Sequence, residues 1–203
     1  MRKQALEFYF DFMSPFAYLA YQVVPTLVRE FDLEFKLKVV DLPSVKKAAG
    51  NTGPRNVDIP LKIRYLKQDL LRWARRYGVP LNFPPTLESA RINKGVFYAQ
   101  DRGVDGAYCE AAWSMGWGSG GDINGDIELK RIASTMGWNP IEFLEYLVSS
   151  DAEDRYRQAT VEAEEHGIFG VPTILLGDEM WWGNDRLDFL REYLETQRKG
   201  TRV

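Results

Sequence analysis

The sequence predicts an α/β fold: a strand–helix–strand start, a strand–strand–helix finish, and a long helical stretch between them. Three observations carry this. Residues 6–12 place Leu6, Phe8, Phe10 and Phe12 on one face at a period of two, which is strand spacing. Near the other end, Thr173-Ile174-Leu175-Leu176 and Glu179-Met180-Trp181-Trp182 flank Gly177-Asp178, a two-residue hairpin signal. The middle repeats apolar residues at helical spacing.

Taken in order, the strand over 6–12 leads to Ser14-Pro15, which has the form of a helix start, with Ser as N-cap and Pro in the first turn. Phe16, Leu19, Ala20, Val23, Leu27 and Phe31 follow at helical spacing and predict one helix. Leu33, Phe35, Leu37 and Val39 then alternate with Glu34, Lys36 and Lys38 as a second strand. Such a strand–helix–strand unit is expected to be parallel and right-handed. In the middle, Leu66, Leu70, Trp73 and Tyr77 form a stripe that stops at Gly78, with Pro80 beyond. Further helices are expected near 93–103, 105–116, 127–136, 140–149 and 152–166, with a loop from Gly116 to Gly121. After the hairpin, Asn184 can cap a last helix that carries Leu187, Leu190, Tyr193 and Leu194. The two ends together describe a thioredoxin-like fold (βαβ…ββα) with a large all-helical insertion. The division expected is 1–44 plus 168–203 for the thioredoxin-like part and 45–167 for the insertion, in a single structural unit.

Composition narrows the chemistry. The 203 residues are 45% hydrophobic and 27% charged, the balance of a soluble globular chain. A net charge of -3 with no Lys/Arg stripe gives no support to nucleic-acid binding. Cys109 is the only cysteine and His166 the only histidine, which excludes an intramolecular disulfide, Cys- or His-rich metal clusters and protein dithiol redox chemistry. Met1-Arg2-Lys3-Gln4 runs directly into strand-like sequence, and no apolar run reaches membrane-spanning length, so no leader, no membrane and a reducing, cytoplasmic setting are expected. The 6 Trp, 10 Tyr and 11 Phe suit either core packing or an apolar ligand pocket.

Ser14 follows a strand and opens a helix, where backbone N–H groups and the helix dipole favour an anion. In a thioredoxin layout this is the place of the attacking cysteine, whose thiolate those groups stabilise. Here Ser14 stands there and Ala17 follows three residues on. The residues alone leave two readings open, a plain N-cap and a partner for a thiolate supplied by a ligand. Gly170-Val171-Pro172-Thr173 precedes the third strand; in this layout the matching proline is cis and its neighbour pairs with a peptide-like ligand. By itself, Val-Pro is also an ordinary strand entry.

A resemblance weighs between these readings. The segment from Phe8 to Ala20 (Phe-Tyr-Phe-Asp-Phe-Met-Ser-Pro-Phe-Ala-Tyr-Leu-Ala) resembles the start of the 2-hydroxychromene-2-carboxylate isomerases, relatives of kappa-class glutathione transferases. So do Phe169 to Thr173 and, above all, Gly177 to Leu187 (Gly-Asp-Glu-Met-Trp-Trp-Gly-Asn-Asp-Arg-Leu). Gly50 to Asn56 and Tyr65 to Trp73 match in the middle, so the resemblance covers nearly the whole chain in one order. It implies a glutathione-dependent cis–trans isomerase acting on a small aromatic carboxylate in naphthalene-type catabolism, and a homodimer. By the family pattern, Ser14 hydrogen-bonds the glutathione sulfur, Val171 pairs with its backbone, and Trp182, Gly183, Asn184 and Asp185 hold its γ-glutamyl end. Lys46 and Asn56 match substrate contacts. A free thiol ionises near about 8.5, and a charged hydrogen bond of about 1.5–3 kcal/mol with a helix end of about 0.3–1 kcal/mol would bring it toward neutrality without a histidine.

Two positions depart from the family pattern, both on the substrate side. Val57 stands where many of these isomerases carry Arg, and an aromatic expected near Pro85-Thr86-Leu87 is missing. They keep open a kappa-like transferase or peroxidase acting on another electrophile. A non-catalytic thioredoxin-fold binding module is the reading from a different class. Of the remaining residues, His166 is expected to cap a helix end and Cys109 to fill core. Asp11 is expected to face solvent or a backbone amide. Trp181 and Trp182 are expected to point to opposite faces, one into core and one near the ligand.

Overall fold

The alternation at the start of the chain becomes the inner strand of a four-stranded sheet. The computed structural model describes residues 3–200; residues 1–2 and 201–203 of the expected division lie outside the described residues. Strand β1 (Ala5–Phe10) is parallel to β2 (Glu34–Val39), antiparallel to β3 (Thr173–Leu176), and β3 is antiparallel to β4 (Glu179–Trp182), in the order β2-β1-β3-β4. The register sets Phe8 between Leu37 and Ile174, so the apolar sets of three strands fall on one face. Leu6, Phe8 and Phe10 are fully buried there, and each such side chain contributes roughly 1.5–3 kcal/mol. Phe12 continues the row, edge-on to Phe10 at 5.3 Å and against Trp113 at 4.4 Å between ring centroids. The opposite face carries a smaller cluster built on Tyr9, Val40, Val45, Ala163 and Ile168.

The expected first helix is two helices, α1 (Pro15–Tyr21) and α2 (Val24–Glu30). Pro25 is the reason: it has no N–H for the Tyr21 carbonyl, and its ring would clash with that group in a continuous helix. The chain closes α1 with tighter bonds instead, Gln22 N–H to Leu19 O and Val23 N–H to Ala20 O. A second departure is α3 (Leu42–Ala48), too short to show a period in the sequence; the division expected at 44/45 falls inside it.

The middle of the chain is helical, as the periodicity predicts. It comprises α4 (Pro60–Tyr77), α5 (Ala90–Gln100), α6 (Asp105–Trp113), α7 (Asp126–Thr135), α8 (Pro140–Leu147) and α9 (Ser150–Glu165). Gly78, left-handed at φ 67°, ends α4. Ser149 caps α9 through the Ala152 N–H. The stretch after Trp113, expected to be helix to 116 and loop from 116, widens into a π-type turn over Ser114–Gly118. Helix α10 (Leu187–Gly200) closes the chain behind a 3-10 turn at Asn184–Arg186. Helices α9 and α3 cover the second face of the sheet, so both faces are buried near the end of β1 that carries Ser14. Among the described residues, no helix is long and apolar enough to cross a membrane.

The remaining expectations divide. Cys109 is fully buried, and His166 ends α9 with Nδ1 2.7 Å from the Glu162 carbonyl. Trp181 is 8% exposed against Tyr193, whereas Trp182 is 47% exposed. Asp11 does not face solvent. It is 1% exposed and accepts hydrogen bonds from the Met13 and Leu42 N–H groups, because helical segments close over the strand end.

Candidate functional site

Three chain ends meet beyond the sheet: the start of α1, the entry to β3, and the 3-10 turn before α10, which packs against α1. Ser14 is 6% exposed and caps α1, its Oγ accepting the Ala17 N–H at 3.2 Å. Its own hydroxyl hydrogen has no acceptor among the described residues. Pro15 carries no N–H and the Ala17 N–H is used, which leaves Phe16 N–H as the uncommitted donor of this first turn. Two donors therefore remain for a ligand beside Ser14.

At the second chain end, Val171–Pro172 is a cis bond. Val171 is 9% exposed, and neither its N–H nor its C=O is hydrogen-bonded among the described residues. Thr173 Oγ1 donates to Gly170 O at 2.7 Å and Gly183 N–H donates to Pro172 O at 2.8 Å, so the β3 entry is braced from both sides. Trp182 stands edge-on to Phe169 at 5.1 Å and passes so near Gly170 that a Cβ there would lie 2.8 Å from its Nε1.

The third end is the turn at 183–186. Gly183 has φ 99°, and a Cβ on it would collide with the Asp185 carboxylate, so this corner requires glycine. Asp185 pairs with Arg186. Asn184 is 3% exposed; its carbonyl accepts the Tyr77 hydroxyl at 3.2 Å, and its Nδ2 is buried with no partner. A buried amide left unpaired costs about 1–3 kcal/mol. It marks a place that an acceptor on a ligand would complete.

The two substrate-side residues are held differently. Lys46 lies on α3, half-buried, with no hydrogen-bond or ion-pair partner for its ammonium among the described residues. Burial lowers its pKa, and the charge of Asp11 opposes that shift. Asn56 sits in an exposed turn, and its side chain makes one long contact, 3.5 Å from Lys62 Nζ. The structure brings Lys46 into the electrostatic reach of Asp11 and leaves Asn56 at the surface. Val57 is 44% exposed beside it.

Four residues near the site carried no local signal. Asn93 Oδ1 accepts the Phe12 N–H at 3.1 Å, and Trp117 Nε1 donates to the Phe12 carbonyl at 2.7 Å. Ser89 and Tyr156 complete a buried polar cluster around Asp11 and Asn93. Two surface cavities lie elsewhere: one of about 750 Å³ between β2 and α9, lined by Lys36, Lys38 and Arg157, and one of about 400 Å³ between α1, α2 and α6. Ser14 lines neither.

Residues 5–195 match the DSBA-like thioredoxin domain family. The 2-hydroxychromene-2-carboxylate isomerase of Pseudomonas putida is 44% identical over 187 residues, covering 91% of this chain and 91% of that one. The chain belongs to the 2-hydroxychromene-2-carboxylate isomerase family. A solved structure of a 2-hydroxychromene-2-carboxylate isomerase superposes with a TM-score of 0.93 at 40% identity, covering 97% of each chain. Glutathione S-transferase kappa 1 of Rattus norvegicus is a more distant relative, 22% identical over 92% of this chain and 89% of its own. Like its family, the chain is an isomerase with a thioredoxin-like fold. Within that family fold it lacks a cysteine pair: Cys109 is alone and fully buried, and burial pushes its thiol well above the ordinary range.

Proposed function

We propose that this isomerase binds glutathione across the three chain ends and uses it to interconvert cis and trans forms of a small aromatic acid of the 2-hydroxychromene-2-carboxylate type, in the breakdown of naphthalene-like compounds. The observation that carries the reading is the unpartnered Nδ2 of buried Asn184. It supports an acceptor-bearing ligand at the turn that opens α10, and the α-carboxylate of a γ-glutamyl group has that chemistry.

The other unused groups suit the rest of a tripeptide. The free N–H and C=O of Val171 can make the paired bonds that hold an extended peptide. Trp182, Gly183 and Asp185 border the γ-glutamyl end, and Ser14 borders the sulfur. The names of the kappa-class relatives support the same ligand.

When bound, glutathione would supply the thiolate nucleophile for reversible covalent catalysis of the isomerisation. Each task of the chain can be assigned. The Ser14 O–H and Phe16 N–H donate toward the sulfur, which favours its charged form and spares the enzyme a histidine base. Lys46 presents a positive charge for the substrate carboxylate, and Asn56 a polar contact from the exposed turn at Asn56–Asp58. Half-burial of Lys46 strengthens its attraction for that carboxylate relative to a solvated lysine.

Isothermal calorimetry with glutathione and with S-methyl glutathione tests the binding step, and the interconversion of the isomers followed by ultraviolet absorbance tests the reaction. Binding of both ligands, with turnover only in the presence of glutathione, is the expected result. Turnover without glutathione would overturn the assignment of the nucleophile.

A further inference from the structure

Asp11 is a buried carboxylate at the junction of the elements that carry Ser14 and Lys46. On one side, Oδ1 accepts from the Met13 N–H at 3.0 Å, from Asn93 Nδ2 at 2.9 Å and from the Ser89 hydroxyl. The Asp11 carbonyl accepts the Ser14 N–H at 2.9 Å, so one residue closes the turn that presents the Ser14 hydroxyl. On the other side, Oδ2 accepts the Leu42 N–H at 3.0 Å, the first backbone donor of α3, and Lys46 lies one turn further along that helix. Asn93 braces the same turn as well, accepting the Phe12 N–H through Oδ1 while its Nδ2 donates to Asp11 Oδ1.

We propose that Asp11 is a positioning residue that fixes the spacing between the two halves of the site, its Oδ1 holding the Ser14 turn and its Oδ2 holding the Lys46 helix. The inference rests on the reading of Ser14 as the thiolate donor and Lys46 as the substrate's carboxylate partner. The chemistry demands such a link. A thiolate held by Ser14 and a carboxylate held by Lys46 meet on one small substrate, and a misplacement of about 1 Å between them costs on the order of a hundredfold in rate. The two groups stand on separate elements that share no strand, and Asp11 hydrogen-bonds to both elements. Its charge also favours the ammonium form of Lys46 against burial.

The asymmetry of the carboxylate makes this testable. In Asp11→Asn one oxygen becomes an NH2 group, which cannot accept. The amide loses least by keeping its oxygen where three donors converge and turning its nitrogen toward the single Leu42 N–H. The variant therefore frees α3 and keeps the Ser14 turn. Asn93→Ala does the reverse: it loosens the Ser14 turn, both at Phe12 and at Asp11 Oδ1, and leaves the bond from Leu42 to Oδ2 in place.

Three readouts decide it. Hydrogen exchange at the Leu42 amide, measured without any ligand, should lose protection in Asp11→Asn and keep it in Asn93→Ala. Glutathione Kd by calorimetry should stay within about threefold in Asp11→Asn, while kcat/KM falls by about tenfold or more, mainly through KM for the acid. Asn93→Ala should instead raise the pKa of the bound thiol and lower kcat, with KM for the acid within about threefold. Unchanged Leu42 protection in Asp11→Asn, or the same pattern of loss in both variants, overturns the proposal. If Asp11→Asn does not fold, Leu42 exchange in the unaltered enzyme decides, and an unprotected Leu42 amide overturns the proposal. Absence of glutathione binding to the unaltered enzyme would sink the functional reading instead, and the Leu42 exchange would still report whether Asp11 joins the two elements.

Discussion

Ser14, Val171 and Asn184 are 6%, 9% and 3% exposed, whereas every residue from Gly50 to Asp58 is exposed. The first group belongs to the side proposed for glutathione, and the second contains Asn56 and Val57 of the side proposed for substrate. The buried side works with backbone groups, one hydroxyl and one amide, all positioned by the ends of packed elements. Its donors and acceptors stay unpaired because the surrounding fold holds them there. The exposed side is a loop and a short turn, where the Asn56 side chain accepts a long hydrogen bond from Lys62 and no other among the described residues. A constant ligand suits a rigid, preorganised cradle. A loop can change without disturbing the core, which suits the side proposed for substrate. Of the two departures from the family pattern, Val57 lies in this exposed stretch, whereas Leu87 is half-buried against the core.

That contrast can be broken most sharply at Ser14. Ser14→Ala should lower turnover by about 10²–10³, the cost of losing one donor to a charged reacting atom. Glutathione affinity should persist, since Val171, Asn184 and Asp185 remain. The pKa of the bound thiol should rise, and a titration of thiolate absorbance reads this directly. Unchanged titration and unchanged turnover would return Ser14 to a helix cap and nothing more.

Gly183→Ala comes next. A methyl at φ 99° that also meets the Asp185 carboxylate costs about 1–3 kcal/mol of strain, relieved by opening the turn. Calorimetry should show glutathione affinity reduced by about tenfold or more, and thermal melting should show a lower Tm. Asn184→Ala should separate binding from stability: affinity falls by about tenfold with the lost bond, while Tm holds or rises, because the free enzyme sheds an unpaired buried donor. A Tm that fell together with affinity would mean that Asn184 is a structural amide.

Val57→Arg probes the exposed side and should have the smallest effect. An exposed charge facing a carboxylate contributes about 0.2–1 kcal/mol, so KM for the acid should fall by about 1.4- to fivefold, with glutathione Kd unchanged. A change in glutathione Kd of the same size would show that the two sides are not separately built.

Much of the fold was legible because its signals are local. The period of two in β1, the stripe that ends at Gly78 and the Gly177-Asp178 hairpin each express a spacing set within a few residues. Pro25 splitting the first helix was equally local, yet the apolar row that runs through it from Phe16 to Phe31 masked the break. Ser14 was visible as a cap and, through the resemblance, as a site residue.

The chain by itself determined the strand and helix pattern, the absence of a cysteine pair and the residue types at the helix starts, since these depend on backbone propensity and composition alone. Only the tertiary structure decided how the Ser14 turn is held. Asn93 reaches the Phe12 N–H across 81 residues and Trp117 reaches its carbonyl across 105. Asp11, expected to lie against solvent or an amide, is sealed beneath these contacts and joined to Leu42. Those bonds require the helical segment to be packed on the sheet. A buried polar group takes whichever partner the closed core brings to it, and no spacing along the chain records which partner that will be.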